Sequence, residues 1–233
     1  MAKFFEALPY VLPCKFCRYS LSEYMQDLPL ADALADPAPY ALAKWLWKIH
    51  NKVNEKLRKQ NLNVAPDPTF AAVKALYLER LSLGCTKTKF EGWEFLFSVV
   101  ENHPFSRHTA ASSPMQGAPE RMPTDKLERN KWNMMEPEER LEEVVKFWDA
   151  LPDVLPFPEW RKIWNSSAGT AAWSTRSESL KTLWGIRCRM ETELKLLNKT
   201  TFSYLCKELR TYRSGCSKSV RAKTCRKKRP GAK

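Results

Sequence analysis

Two cysteines, Cys14 and Cys17, lie three residues apart near the start of the chain, directly after Pro13. Proline is typical of the first position of a helix, so the pair is expected at a helix N-terminus, where the helix dipole favours a thiolate. One helical turn also lets two sulfurs form a disulfide. Zinc would need two more ligands, and the only nearby histidine is His50. Two inert buried thiols are the third alternative, and we favour a redox dithiol.

A second group of residues that could bind a ligand or take part in a reaction lies in the stretch KWLWKIHNKVNEKL, on a helix predicted for residues 40–60. Its apolar residues recur at helical spacing: Leu42, Trp45, Leu46, Ile49, Val53 and Leu57. Trp47, His50, Asn51 and Asn54 fall within about 100° of one another at the edge of that stripe, so the His and the two Asn are expected to share the face that packs inward. Buried imidazole and carboxamide groups need partners, and an unpaired one costs about 1–3 kcal/mol.

Two kinds of partner could satisfy these polar groups. Neighbouring helix ends could accept and donate the hydrogen bonds, which would make the trio purely structural. A bound planar ligand with many donors and acceptors would satisfy all three at once, and the spacing favours this alternative. Because a dithiol near a large planar ligand can pass electrons to it, the two groups together suggest a flavin.

Composition describes a folded, mainly helical chain. Of its 233 residues 43% are hydrophobic and 12% aromatic, while only seven are glycine. No run of 18 uncharged apolar residues occurs, so no membrane span is predicted, and the first residues make a poor signal peptide. The seven cysteines are odd in number and scattered, unlike the disulfide framework of a small secreted domain.

The net charge of +13 comes largely from the C-terminal tail. Residues 217–233 hold eight Lys or Arg and no acid. Such a tail predicts at most loose, salt-dependent contact with polyanions. A nucleic-acid-binding module is a further hypothesis, but no recognition motif supports it.

The order of patterns along the chain predicts three parts. Residues 1–88 carry the two groups described above, residues 89–213 form a second helical domain, and residues 214–233 are a disordered basic tail. Residues 28–39, which contain three prolines, are predicted to be a connector. A proline-rich loop is predicted for residues 102–124, with His103 and His108 on its surface. Cys85, Cys188 and Cys206 fall on helical patterns and are expected in a core or interface. Cys216 and Cys225 are either a shuttle pair or unpaired tail thiols.

Taken together, PCKFC and WLWKIHNKVNEKL resemble the Erv/ALR family of FAD-linked sulfhydryl oxidases. That family has Cys-x-x-Cys followed, about 30 residues later, by Trp-Leu-x-x-x-His-Asn-x-Val-Asn-x-x-Leu. The resemblance covers about residues 5–60. The segments RKQNLNVAPDPTF, WEFLFSVV, RNKWN and PDVLPFPEW are similar in style to members encoded by large DNA viruses, which carry an extra helical domain. If the chain is viral, the host cytoplasm or virion is its expected location, and otherwise the cell interior.

The resemblance implies an all-α fold, with an FAD-binding helical bundle followed by a second helical domain, usually in a homodimer. It implies oxidation of protein dithiols to disulfides, with O2 reduced to hydrogen peroxide. Cys17 would lie next to the flavin, and Cys14 would be the sulfur that substrate attacks. The residues implied in FAD binding are Trp45, Trp47, His50, Asn51, Val53, Asn54, Lys56, Leu57 and Lys59.

The chain departs from the family at its start. Family members have a further helix before the Cys pair, with a Trp and a His that sandwich the flavin. Only thirteen residues precede Cys14 here, and none is Trp or His. The first helix is therefore expected to be missing, or the pocket to be completed differently. The alternative function is a truncated, non-catalytic helical scaffold or interaction protein of the same family.

Overall fold

In a computed structural model, residues 1–86, 89–106, 109, 112–168, 173–197 and 199–210 are described. They are helical with no strand in these ranges, which confirms the all-α class. The helices are α1 (Ala2–Val11), α2 (Lys15–Asp27), α3 (Leu30–Ala35), α4 (Ala41–Lys59), α5 (Phe70–Ser82), α6 (Trp93–Glu101), α7 (Lys126–Lys131), α8 (Pro137–Val154), α9 (Pro158–Ala168), α10 (Arg176–Glu193) and α11 (Phe202–Leu209). His108, Cys216, Cys225 and the basic tail lie outside the described residues.

Helices α1 to α4 enclose a small apolar core. From α4 it receives Trp45 and Ile49, which are both buried and lie one turn apart. The indole Nε1 of Trp45 donates a hydrogen bond to the carbonyl of Leu28 at 2.9 Å, so its polar atom is paired inside the core. Lys56, Arg58 and Lys59 occupy the last turn of α4, where positive charge is favourable.

The segment predicted as a connector between α2 and α4 contains the short helix α3. Its prolines, Pro29, Pro37 and Pro39, flank the helix and leave its interior intact. Leu30 at its start is buried in the small core. Burial of the Leu30 side chain stabilises this six-residue helix, which the composition of the segment does not predict.

A larger core lies among α6, α8, α9 and α10, and it is rich in tryptophan. The rings of Trp148 and Trp173 stack with centroids 4.3 Å apart, and Trp164 stacks on Trp148 at 6.5 Å. Several other side chains are almost completely buried there: Phe97, Phe147, Leu183, Ile186 and Met190. Interlocked aromatic rings of this size account for much of the apolar surface that the fold removes from water.

Helix α1 belongs to both cores, because its two sides face different helices. On one side, the ring of Phe5 packs edge-on against Trp45, with centroids 5.8 Å apart. On the other side, Phe4 packs against Phe147 of α8 at 5.2 Å. The two halves of the chain are therefore packed on each other through α1, and the domain boundary near residue 88 stays a prediction.

A helix thus precedes the Cys pair, so the expectation of a missing first helix is not confirmed. Helix α1 is ten residues long and contains neither Trp nor His. Its inward positions are filled by phenylalanine, alanine and valine side chains that pack against the cores.

The predicted surface position of His103 is wrong. Its imidazole is 1% exposed, and Nε2 lies 2.9 Å from the carbonyl oxygen of Trp173. Nδ1 accepts a hydrogen bond from the backbone N–H of Phe105. Burial lowers the pKa of His103, which keeps the ring neutral. His103 lies two residues after the end of α6, and its side chain turns back toward Trp173. The proline-rich sequence around it gives no indication of this burial.

Candidate functional site

The Cys pair lies at the start of α2, as its spacing predicts. Cys14 is the N-cap residue, and the backbone N–H groups of Cys17 and Arg18 both donate to its carbonyl at 2.9 Å. Both cysteines therefore lie within the first turn, where the positive end of the helix dipole is strongest. Cys14 is only 3% exposed, whereas Cys17 is partly exposed. Solvent thus has little access to Cys14, whereas it reaches part of Cys17.

A buried arginine follows the pair directly. The side chain of Arg18 is 3% exposed and donates hydrogen bonds to the carbonyls of Leu12 (2.8 Å) and Pro13 (3.2 Å). Its Nη2 also donates to Oδ1 of Asn133 at 2.7 Å, across 115 residues of chain. Arg18 therefore fixes the backbone that leads into the Cys pair and connects it to a distant part of the sequence.

A second buried arginine shares the same acceptor. Nη2 of Arg140, on α8, lies 3.4 Å from Oδ1 of Asn133, and the Arg140 side chain is 5% exposed. Among the described residues, Nε of Arg18 and Nη1 of Arg140 have no hydrogen-bond partner. One neutral oxygen thus lies between two guanidinium groups whose donors are incompletely satisfied.

The electrostatics of these arginines involve the two sulfurs. Burial lowers the pKa of Arg18, the positive charge of Arg140 lowers it further, and Cys14 and Cys17 oppose that change. Burial also lowers the pKa of Arg140 to about 10, which leaves it charged at neutral pH. A negative charge on either cysteine would therefore be attracted to Arg18, and ionised sulfur is the species that reacts in disulfide exchange.

The chain that carries Asn133 is held firmly against α2. Asn133 has a positive φ of 57° at the end of α7, a conformation that asparagine tolerates better than most residues. Its Nδ2 donates to the carbonyl of Ser113 at 2.9 Å, and Lys15 donates to the same carbonyl at 2.9 Å. Asn130 is completely buried, and its Nδ2 donates to the carbonyl of Pro9 and the hydroxyl of Ser22.

The polar trio of α4 lies in a different place. His50, Asn51 and Asn54, with Trp47, line an open groove of about 530 Å³ between α4 and α5. The opposite wall of this groove is apolar and aromatic: Phe70, Val73, Leu76, Tyr77, Leu78 and Leu81. His50 is exposed, and the two asparagines are partly exposed.

The expectation that the trio turns inward is therefore wrong. The inward face of α4 is occupied by Trp45 and Ile49, so groups at the edge of that stripe face the gap beside α5. Two of the lining residues have structural partners, as the alternative interpretation required. Nδ2 of Asn54 donates to Asp67 at 2.8 Å, and Nε1 of Trp47 donates to the carbonyl of Pro68 at 2.9 Å.

The two lysines implied in cofactor binding lie beside α2 instead. Lys56 and Lys59 line a cleft of about 580 Å³ between α2 and α4, together with Phe16 and Ser20. Nζ of Lys56 donates to the Ser20 hydroxyl at 2.6 Å. Val53 and Leu57 line neither opening, and Trp45 is buried in the small core. The structure thus divides most of the implied cofactor residues between two clefts of α4 and its core face, while Val53 and Leu57 lie in none of these places.

Neither sulfur lines the groove or the cleft, although Phe16, between the two cysteines, lines the cleft. The cleft therefore begins within one residue of the pair, whereas the groove lies along a different side of α4.

Residues 1–73 match the model of the Erv1/Alr family. This match supports membership in the family and includes Cys14, Cys17 and the whole of α4. The Erv1/Alr family is known for FAD-linked sulfhydryl oxidase activity. No match was found among the curated proteins or among the solved structures. Asn133 and Arg140 lie outside the matched range.

The α4–α5 groove fits the chemistry of the cofactor that Erv1/Alr proteins bind. Its aromatic and apolar walls suit the ring faces of a dinucleotide, and His50 and Asn51 supply polar groups along one edge. Asn54 keeps its carboxamide oxygen as an acceptor even while its nitrogen is bonded to Asp67. The residues present can therefore hold part of FAD.

Two negative findings concern the described part of the chain alone. No three His, Cys, Asp or Glu side chains there are grouped so that they could hold a metal ion. None of its helices combines the length and apolar character needed to cross a membrane.

Three residues near the Cys pair were missed by sequence reasoning: Arg18, Asn133 and Arg140. No local spacing marks them, because the contact that brings Asn133 to Arg18 joins positions 115 residues apart. For Asn133 the segment RNKWN gives a weak sequence signal of a buried polar contact, since it places two carboxamides three residues apart at the end of a short helix.

Proposed function

We propose that this chain is an FAD-dependent thiol oxidase that forms disulfides in protein substrates and reduces O2 to hydrogen peroxide. The observation that carries the proposal is the family match, which contains both the Cys pair and the α4 motif. Two features of the site support it. Cys14 caps a helix N-terminus, and a buried arginine lies next to the pair.

In the proposed reaction a substrate thiolate attacks the Cys14 sulfur of the Cys14–Cys17 disulfide. An S–S bond forms between substrate and Cys14, and Cys17 leaves as a thiolate. A second substrate thiol, once ionised, attacks the mixed disulfide, releases the oxidised substrate and leaves Cys14 reduced. The pair has then gained the two electrons that the substrate has lost. Bound FAD would supply the two-electron acceptor that returns the pair to its disulfide form, with O2 as the final oxidant.

The chain's own residues have distinct tasks in this proposal. Arg18 and the N-terminus of α2 favour the departure of Cys17 as an anion. Trp47, His50, Asn51 and Asn54 would hold part of the cofactor in the groove. Lys56 and Lys59 would contact it from the cleft next to Phe16, where Lys59 is ion-paired with Glu55. The basic tail is proposed to make only loose contact with polyanions.

The visible spectrum and oxygen uptake of the purified protein test the proposal together. We expect a yellow protein that consumes O2 when dithiothreitol or a reduced protein is added. A colourless preparation that neither binds added FAD nor consumes O2 would contradict it.

One observation favours a different function, the non-catalytic scaffold. Helix α1 offers neither of the Trp and His side chains that the family resemblance implies for the flavin site. A scaffold would leave the groove without FAD but keep both cores intact. Equilibrium titration with FAD separates the two proposals, because it requires no turnover.

The groove residues give a prediction about cofactor retention. Replacing both His50 and Asn51 by alanine removes two polar contacts, each worth about 1 kcal/mol or more, and should weaken FAD binding by about tenfold to a hundredfold. The measurement is flavin content after gel filtration, followed by FAD titration. Lys48→Ala is the matched control on α4, since this exposed residue lies outside the groove. Equal retention by all three proteins would show that the groove does not hold FAD.

We further propose that the protein is a homodimer and that a second copy covers α5. No residue of this helix is buried, and it exposes Leu76, Tyr77, Leu78 and Leu81. An uncovered apolar surface of this kind is typical of an interface. Leu78→Asp is expected to shift the mass seen by light scattering from dimer to monomer, whereas Lys74→Asp should shift it less. A monomeric wild-type protein would contradict the proposal.

A further inference from the structure

We propose that Arg140, outside the part of the chain that matches the Erv1/Alr family, is a positioning residue of the thiol centre. Through Asn133 it joins Arg18 in a buried cationic cluster that stabilises the ionised sulfur of the Cys pair. We call Arg18, Asn133 and Arg140 the arginine cluster. This inference rests on the proposed function only in taking the Cys pair as the reactive centre.

The geometry of the arginine cluster connects it to the pair. Arg18 begins next to Cys17, and its side chain turns back beneath the segment that leads into Cys14, where it is bonded to Leu12 and Pro13. Asn133 presents a single carboxamide oxygen to both guanidinium groups, at 2.7 Å and 3.4 Å. Movement of Arg140 would therefore be transmitted to Arg18 and to the start of α2.

The charges around the pair leave an excess of positive charge. Helix α2 contributes the buried Arg18, and α8 contributes the buried Arg140. The acidic group that acts on Arg140 is Glu139, but Glu139 already forms a two-point ion pair with Arg129. The residue between the two buried guanidinium groups, Asn133, is neutral. No carboxylate among the described residues accepts a hydrogen bond from Arg18 or Arg140.

An ionised sulfur would supply the missing negative charge. Burying unbalanced charge is costly, and a nearby opposite charge reduces that cost. The disulfide form of the pair carries no charge, whereas the reduced form can carry one. The arginine cluster therefore favours the reduced, ionised form over the disulfide, so it makes the disulfide a stronger oxidant of substrate thiols.

Alkylation of Cys17 in the reduced, full-length protein tests this inference. The rate of iodoacetamide addition is followed by peptide mass spectrometry across a range of pH in wild type, Arg140→Met and Arg140→Lys. With Arg140→Met we expect the midpoint of the profile to move to higher pH and the rate at pH 7 to fall by about tenfold. Arg140→Lys, which keeps the charge, should stay near the wild type. A purely structural role would give the two variants similar profiles.

A second variant keeps the test decisive if Arg140→Met does not fold. Asn133→Asp has the same shape, accepts the same positive φ and places a carboxylate between the two guanidinium groups. It should neutralise part of their charge and slow alkylation in the same direction. Arg189→Met is the control, because Arg189 is about half exposed and bonded to Glu193 on α10. Unchanged profiles in folded Arg140→Met or Asn133→Asp would overturn the inference.

The outcome is distinguishable from failure of the proposed function. Alkylation needs neither FAD nor O2, so a colourless, inactive protein can still show the shift and uphold the inference. The redox equilibrium of the pair with glutathione gives an independent readout, in which Arg140→Met should make the disulfide harder to reduce. An active oxidase whose alkylation profile and redox equilibrium are both unaffected by Arg140→Met would reject the inference and leave the proposed function standing.

Discussion

Cys17→Ser is expected to reduce thiol oxidation by about a thousandfold or more, because residues that act as one catalytic unit fail together. A serine hydroxyl cannot form a disulfide with Cys14, nor can it leave as a stable anion when substrate attacks. Oxygen uptake with dithiothreitol should fall to the background rate. Bound flavin should stay yellow when dithiol is added without oxygen, since the sulfur expected next to it has been removed.

Cys188→Ser is the matched control for this substitution. Cys188 lies on α10, and burial raises the pKa of its thiol, which makes it a poor nucleophile. Oxygen uptake by this variant should equal that of the wild type. A Cys17→Ser protein that retains oxygen uptake, or a loss confined to Cys188→Ser, would locate the chemistry away from the start of α2.

Periodicity was sufficient to predict α4, the helix that carries the polar trio. The helix predicted over residues 40–60 is observed as Ala41–Lys59, and its apolar stripe correctly identifies Trp45 and Ile49 as core residues. Helix α3 was missed because three nearby prolines suggested a connector, and only tertiary burial of Leu30 explains why the segment is helical. His103 was wrongly predicted to be on the surface because the composition of a loop does not show which distant residues pack against it.

The candidate site was predictable only in part. The position of the Cys pair at a helix start follows from local sequence, as Cys14 at the N-cap of α2 confirms. The trio of α4 was predicted to face inward. A helical wheel gives the angles between side chains but does not show which elements pack beside them, and in the structure the trio faces an open groove beside α5. The partnership of Arg18 with Asn133 and Arg140 depends on how α7 packs against α2 and how α8 packs against α1, which no local pattern specifies.

The contact between α1 and α8 also yields the largest expected effect on stability. Phe147 is completely buried and touches the rings of Phe4 (5.2 Å) and Trp148 (5.1 Å). Phe147→Ala should lower the free energy of unfolding by about 3–5 kcal/mol, since it removes a large buried ring and leaves a cavity. Urea unfolding followed by tryptophan fluorescence measures the change. Phe105→Ala, at a ring that is 47% exposed, should change it by no more than about 0.5 kcal/mol.

Phe147→Ala also tests whether helices α1 to α4 depend on the C-terminal helices for their stability. Because Phe4 of α1 packs on Phe147 while Phe5 of α1 packs on Trp45, loss of the Phe147 ring should weaken both cores together. Alkylation of the buried Cys14 reports on unfolding at the start of α2, and its urea midpoint should fall in step with that of fluorescence. A fall in the fluorescence midpoint alone would mean that helices α1 to α4 are stable without the large core. The Cys pair would then not need α8 to stay folded, and Arg140 could influence the sulfurs only through its charge.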